Sequence, residues 1–147
     1  MIENTLKELN TQLEGVIMGE NAISNLKDKA QDYRLIDLLD NTLCTVQKNK
    51  DVIVKEIEEL GGTPTHNEGV WGKVLEVFNN IKEMTIDTDK EILEKAIKGT
   101  EMGFKAILDF LIEEENLHDH FKKELINVSD EYTKNIKQMQ EYLISLT

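Results

Sequence analysis

The 147-residue chain carries 29 acidic and 17 basic side chains, so its formal net charge is −12. Phosphate recognition rests on lysine and arginine, and anionic lipid headgroups repel negative charge, so we expect neither nucleic acid nor membrane as a partner. Hydrophobic residues make up 39% of the chain and Pro64 is the only proline. This composition favours an all-α fold, with residues 1–147 as one domain.

The sequence also indicates a cellular compartment. Cys44 is the single cysteine, which excludes an intrachain disulfide and fits a reducing cytosol. The first residues lack the basic and apolar regions of a signal peptide, and no stretch approaches the roughly 20 apolar residues that span a bilayer. We therefore expect a cytoplasmic protein. Because no histidine or second cysteine stands near Cys44, we expect its thiol to be inert.

The first part of the chain predicts a helical hairpin. Apolar residues recur at intervals of three and four, which predicts a helix over roughly residues 2–30. A stripe with a different phase begins at Leu35 and predicts a second helix over roughly residues 32–60. The change of phase implies a turn, with Asp32 as the N-cap of the second helix. Gly61-Gly62 then ends that helix.

A crossover follows the first hairpin. Its apolar pattern predicts a short helix near residues 70–84, where Trp71 and Phe78 share one face. We expect this face to cover the bundle, and binding of a protein partner is the alternative.

The last part of the chain predicts a second helical hairpin. Thr88 and Glu91 have the spacing of a capping box, which predicts a third helix over roughly residues 88–115. The apolar stripe then restarts, so we expect a turn and a fourth helix over roughly residues 117–146, with Asn116 or Asp119 as its cap. A single unbroken helix from Thr88 to the C-terminus is the alternative.

The lengths of the connections predict the topology. Short turns make helices one and two antiparallel neighbours, and helices three and four likewise. The crossover is long enough to return along the bundle, so helix three should run parallel to helix two. The predicted fold is therefore a four-helix bundle of two antiparallel hairpins joined by a long crossover that contains a short helix.

Two glutamates occupy matching places in the first and third helices. Glu20 and Glu101 each stand four residues after one apolar residue and three before another. With the sequence Glu58-Glu-Leu-Gly-Gly-Thr-Pro64 at the end of the second helix, this pattern resembles the ferritin-like superfamily, which includes rubrerythrin. More narrowly, the chain is similar to a family of uncharacterised bacterial ferritin-like bundles.

The resemblance implies a place for metal. In the di-iron members, helices one and three each supply a glutamate, and helices two and four each supply Glu-x-x-His. Glu20 and Glu101 match the first pair, and we expect both to face one buried central layer. The second pair is missing from the middle of helices two and four. Two charged carboxylates in one layer would repel each other, so three kinds of compensation are open: a shared proton, Lys48, or hydrogen bonds from neutral side chains. We favour the neutral side chains of helices two and four: Thr42, Thr45, Asn49, Tyr132 and Asn135.

No constellation in the sequence reaches the standard of a catalytic site, and no cofactor is implied. His118 and His120 are two residues apart, so on a helix they point to different sides; we expect ordinary surface histidines unless a turn brings them together. We expect a non-enzymatic bundle that forms a homodimer or binds a protein partner. The alternative is an iron-handling protein or oxidoreductase with an unusual reduced site at Glu20 and Glu101.

Overall fold

The helices of the chain confirm the all-α prediction. A computed structural model describes residues 2–67 and 88–146, and no strand occurs among them. These residues form four helices, α1 to α4 in chain order: Ile2–Lys29, Tyr33–Glu59, Asp89–Glu113 and Asp119–Ser145. The predicted short helix near residues 70–84, with Trp71 and Phe78, lies outside the described residues. None of the four helices combines the length and the apolar character that crossing a bilayer needs.

Contacts at the two ends of the bundle establish the helix directions. At one end, the carboxylate of Asp89 at the start of α3 accepts hydrogen bonds from the backbone N–H groups of Gln31 and Asp32, in the turn between α1 and α2. At the other end, Thr5 of α1 donates to Glu114, directly after α3, at 3.1 Å. Helix α3 therefore begins at the end of the bundle where α2 begins, and the two helices run parallel, as predicted.

The packing of the helices follows from these directions. Helix α1 packs against α2 and α3, while α4 packs against the same two helices, so every close neighbour is antiparallel. Helices α2 and α3 form a diagonal pair with much less contact. The chain breaks between α3 and α4, which excludes the alternative of one unbroken helix after Thr88.

Two of the predicted helix caps are confirmed. Asp32 accepts a hydrogen bond from the Arg34 backbone N–H at 2.8 Å, and its extended conformation starts α2. Thr88 accepts from the Glu91 backbone N–H at 3.1 Å and its hydroxyl donates to the Glu91 carboxylate. Each cap satisfies a backbone donor that has no partner inside its helix.

The predicted cap of α4 is wrong. The N-cap is His118, not Asn116 or Asp119, and the His118 side chain makes no capping hydrogen bond. The acceptor comes from another helix, because the Glu56 carboxylate of α2 lies 3.4 Å from the His118 backbone nitrogen. A cap supplied across the bundle leaves no pattern in the local sequence.

The stop signal at the end of α2 is confirmed. Gly61 adopts a φ of 82°, which favours glycine, and its N–H donates to the Glu58 carbonyl. The Gly62 N–H donates to the Ile57 carbonyl at 2.9 Å. These two bonds form a Schellman motif, which satisfies carbonyls that the helix leaves open.

The hydrophobic core consists of two clusters along the bundle axis. One cluster includes Leu9, Ile57 and Phe121, near the end where α4 begins. The other includes Leu39 and Leu93, near the end where α3 begins. Polar residues lie between the two clusters on α2, α3 and α4, so the middle of the bundle differs chemically from both ends.

Candidate functional site

A layer of neutral polar side chains occupies the middle of the bundle. Its members are at most 7% exposed: Thr42, Thr45, Asn49, Thr100, Tyr132 and Asn135. Asn135 Nδ2 donates to Thr45 Oγ1 at 2.7 Å, and Asn49 Nδ2 donates to the Tyr132 hydroxyl oxygen at 3.1 Å. The Thr42 and Thr100 hydroxyls donate to backbone carbonyls one turn earlier in their own helices. We call this set the central layer.

The central layer carries no charge near neutral pH. Burial raises the pKa of the Tyr132 hydroxyl to about 12, and the hydrogen bond from Asn49 offsets only part of that effect. The phenol therefore stays protonated through the physiological range. Its other members are threonines and asparagines, which do not titrate.

Glu20 and Glu101 do not meet in this layer, so the expectation that both face it is wrong. Glu101 is exposed. Thr100, one residue earlier, takes the interior position and is 3% exposed. Glu20 is half-buried and its carboxylate lies 3.0 Å from Lys50 Nζ. Lys48, one of the candidates for compensating the pair, contacts Glu131 at 2.8 Å.

The histidines and the cysteine lie apart from the central layer. His118 Nδ1 lies 3.0 Å from Glu56, and His120 Nε2 lies 2.7 Å from Glu124, so the two rings contact different carboxylates. Glu115 and His118 have the Glu-x-x-His spacing, but they lie in the turn between α3 and α4 and on no common helix. Cys44 is exposed.

A second group of potential metal ligands lies at one end of the bundle. Oxygen or nitrogen atoms of Glu56, Glu59 and His118 lie within 4.8 Å of one another. Glu56 is only 2% exposed, whereas Glu59 and His118 reach solvent. The sequence does not reveal this group, because 59 residues separate Glu59 from His118 and only the packing of α4 on α2 brings them together.

A pocket opens between α1 and α3 beside the central layer. Its volume is about 50 Å³. Glycines of both helices line it together with two polar residues of the central layer: Gly15, Gly19, Gly99, Gly103, Asn49 and Tyr132. The Oδ1 atom of Asn49 is buried and has no hydrogen-bond partner among the described residues. The spacing of four residues between the glycines of each helix is visible in the sequence, but their facing across the bundle is not.

The fold and the family of the chain follow from comparison with known proteins. The chain is a ferritin-like four-helix bundle. It is similar, over 99% of its own length and 96% of the other chain, to a structure titled "Crystal structure of ferritin like, diiron-carboxylate proteins from Bacillus anthracis str. Ames", with a TM-score of 0.67 and 17% sequence identity. It belongs to the family described as "Domain of unknown function (DUF2383)", whose model matches residues 4–113. No curated protein matches it.

The residues of the central layer do not fit a di-iron centre. In such centres each of the four helices supplies a glutamate, and two of the helices also supply a histidine. Here the inward positions of α2, α3 and α4 carry hydroxyl, amide and phenol groups that bond to one another or to the backbone. The half-buried Glu20 already pairs with Lys50. The donor chemistry of the layer favours neutral hydrogen bonding over metal binding.

Proposed function

We propose that this chain is a non-enzymatic bundle that acts by binding, as a homodimer or with a partner protein, and that its ferritin-like core has lost the di-iron ligand set. The observation that supports this proposal is the chemistry of the central layer. Several of its polar groups bond to one another, as in the Thr45–Asn135 and Asn49–Tyr132 pairs, and a hydrogen-bonded neutral layer is a structural element of a packed core.

Iron loading tests this proposal. Protein purified without chelator, incubated with Fe(II) under anaerobic conditions and desalted, should retain far less than one equivalent of iron by elemental analysis, because the central layer offers no charged ligand set. His118→Gln serves as the matched variant, because it alters the group of potential ligands at the end of the bundle and leaves the central layer unchanged. Near-stoichiometric iron that persists in His118→Gln would contradict the proposal.

Metal handling is the second candidate function. The alternative site at Glu20 and Glu101 has little support, because Glu101 is exposed and Glu20 pairs with Lys50. Glu56, Glu59 and His118 give it better support, because two carboxylates and an imidazole suit Zn²⁺, Mn²⁺ or Fe²⁺. In the iron-loading experiment, metal that is bound by the wild type and lost in His118→Gln would favour this candidate.

A surface of α3 supports self-association. Leu108 and Ile112 lie one helical turn apart and are 46% and 71% exposed. Lys105 precedes this pair and Glu113 follows it. If a second copy of α3 packed antiparallel against the first, each lysine would approach a glutamate of the other copy, as a two-fold symmetric interface requires. A second copy of the chain is therefore the occupant that we propose for this surface.

Light scattering tests the homodimer. At high protein concentration the wild type should have twice the 16.9 kDa mass of one chain, and the double change Leu108→Gln with Ile112→Gln should return it to the monomer mass. These changes remove apolar area from the proposed interface without adding charge. Ile126→Gln, at a position 49% exposed on α4, is the control and should remain dimeric. A monomeric wild type, or a double variant that stays dimeric, would count against this interface.

A further inference from the structure

The pocket between α1 and α3 has the size of a site for a small ligand. Drug-sized ligands occupy pockets of roughly 300–1,000 Å³, whereas this one measures about 50 Å³. A water molecule needs only about 10–15 Å³ of such space, so the pocket exceeds the size of a single water. Apart from Asn49, Thr100, Tyr132 and Gln12, its lining is apolar or glycine. The volume and the lining therefore favour a small, mostly apolar molecule or part of one.

Asn49 offers an unused hydrogen-bond acceptor in the lining of the pocket. The residue is 1% exposed, and its Oδ1 has no hydrogen-bond partner in the part of the chain that the structure describes. A buried acceptor without a partner costs about 1–3 kcal/mol, so buried polar groups in folded proteins are nearly always paired. A molecule that donates a hydrogen bond at this point would remove that cost.

Tyr132 determines which polar group fits. In its bond with Asn49, the phenol oxygen accepts from Nδ2, so the phenol hydrogen is left to donate elsewhere. A ligand hydroxyl can donate to Asn49 and accept from Tyr132 at the same time. If the amide were turned around, Tyr132 would donate to it, and a ligand hydroxyl would then accept from Nδ2 and donate to the phenol oxygen. A hydroxyl group satisfies the pair in both orientations.

We propose that this pocket binds a small neutral alcohol, with the hydroxyl between Asn49 and Tyr132 and the alkyl group between the glycines of α1 and α3. The neutral central layer favours an uncharged ligand, since a charged headgroup would be desolvated without a counter-ion. This inference does not depend on the proposed function, because it concerns neither metal nor oligomeric state.

Titration with 1-butanol, followed by amide NMR of the ¹⁵N-labelled protein, tests the proposal. We expect saturable shifts at the pocket glycines Gly15, Gly19, Gly99 and Gly103, and no shift at Gly61 outside the pocket. Methyl propyl ether, an isomer of 1-butanol without a hydroxyl hydrogen, should bind roughly five- to tenfold more weakly, because it cannot donate. Shifts that do not saturate, which would mean that the pocket holds water only, would overturn the proposal. Equal binding of the ether would overturn the role of the hydroxyl.

Gly19→Ala tests the location of the site. A Cβ at this position would fit without a clash, because its nearest neighbour, Val46 Cγ1, lies at an ordinary van der Waals distance of 4.0 Å. Alanine is a better helix former than glycine, so the variant should melt at a higher temperature than the wild type while its methyl group narrows the pocket. We expect 1-butanol binding to weaken by roughly tenfold or more, as for added methyl groups in packed sites. Lys137→Ala, at an exposed position of α4, should bind as the wild type does. Unchanged binding in Gly19→Ala would place the alcohol elsewhere and overturn the proposal.

Discussion

Replacing Asn49 by aspartate is expected to lower the free energy of unfolding by about 3 kcal/mol at pH 7. The substitution keeps the shape of the side chain but places a carboxylate at a position 1% exposed, within a layer that holds no cation. Tyr132 can donate one hydrogen bond to the carboxylate, and that single bond offsets only part of the lost hydration. Chemical denaturation of the variant and the wild type measures the difference.

The loss of stability in Asn49→Asp should depend on pH. Burial raises the pKa of a carboxyl group above its value in the unfolded chain, which is about 3.9. Below that pH both the folded and the unfolded chain bind the proton, so the penalty is absent; it grows as the pH rises towards the folded pKa. Asn41→Asp, on an exposed face of the same helix, is the control and should change stability by less than about 0.5 kcal/mol. An Asn49→Asp protein as stable as the wild type at pH 7 would show that the layer accommodates charge.

Removing the Glu56 side chain should also lower the free energy of unfolding substantially. Glu56→Ala is expected to lower the free energy of unfolding by about 2 kcal/mol, because Glu56 accepts hydrogen bonds from the His118 backbone N–H and, at 3.0 Å, from its ring. A carboxylate at the start of α4 also interacts favourably with the helix dipole. Thermal or urea unfolding measures the loss.

Two further variants distinguish the loss of this helix cap from the loss of a negative charge in general. Glu56→Gln keeps an acceptor near His118 and should lose less stability than Glu56→Ala. Glu58→Ala removes an exposed carboxylate two residues away and should change stability by less than about 0.5 kcal/mol. Equal losses in Glu56→Ala and Glu58→Ala would contradict the capping role.

The fold was predictable because local signals agreed with the connection lengths. The caps at Asp32 and Thr88 and the stop at Gly61 act within a few residues, so the sequence displays them directly. The parallel direction of α2 and α3 was predictable because the crossover between them is long enough to return along the bundle. The cap of α4 was not predictable, because its acceptor, Glu56, stands 62 residues before His118.

The site was harder to predict, because helical spacing does not distinguish neighbouring positions. Glu101 stands at helical spacing from the apolar residues on either side. The neighbouring Thr100 also stands three or four residues from the same two apolar residues, so the spacing alone does not tell which of the two faces the core. Thr100 can be buried at small cost, because its hydroxyl donates to the Ala96 carbonyl of the preceding turn at 2.6 Å. A glutamate there would need a counter-ion. The five neutral residues named from the sequence are buried as a layer, but they bond to one another and to the backbone instead of to a pair of glutamates.

We propose that the middle of this ferritin-like bundle is a neutral, hydrogen-bonded layer and not a metal centre. Anomalous diffraction at the manganese edge, from crystals grown with Mn²⁺, is the sharpest test because it locates bound metal independently of activity. We predict no anomalous peak between the Thr45–Asn135 and Asn49–Tyr132 pairs. A strong peak at that place, with the amide and phenol groups turned towards it, would show that the layer binds metal and would overturn the proposal.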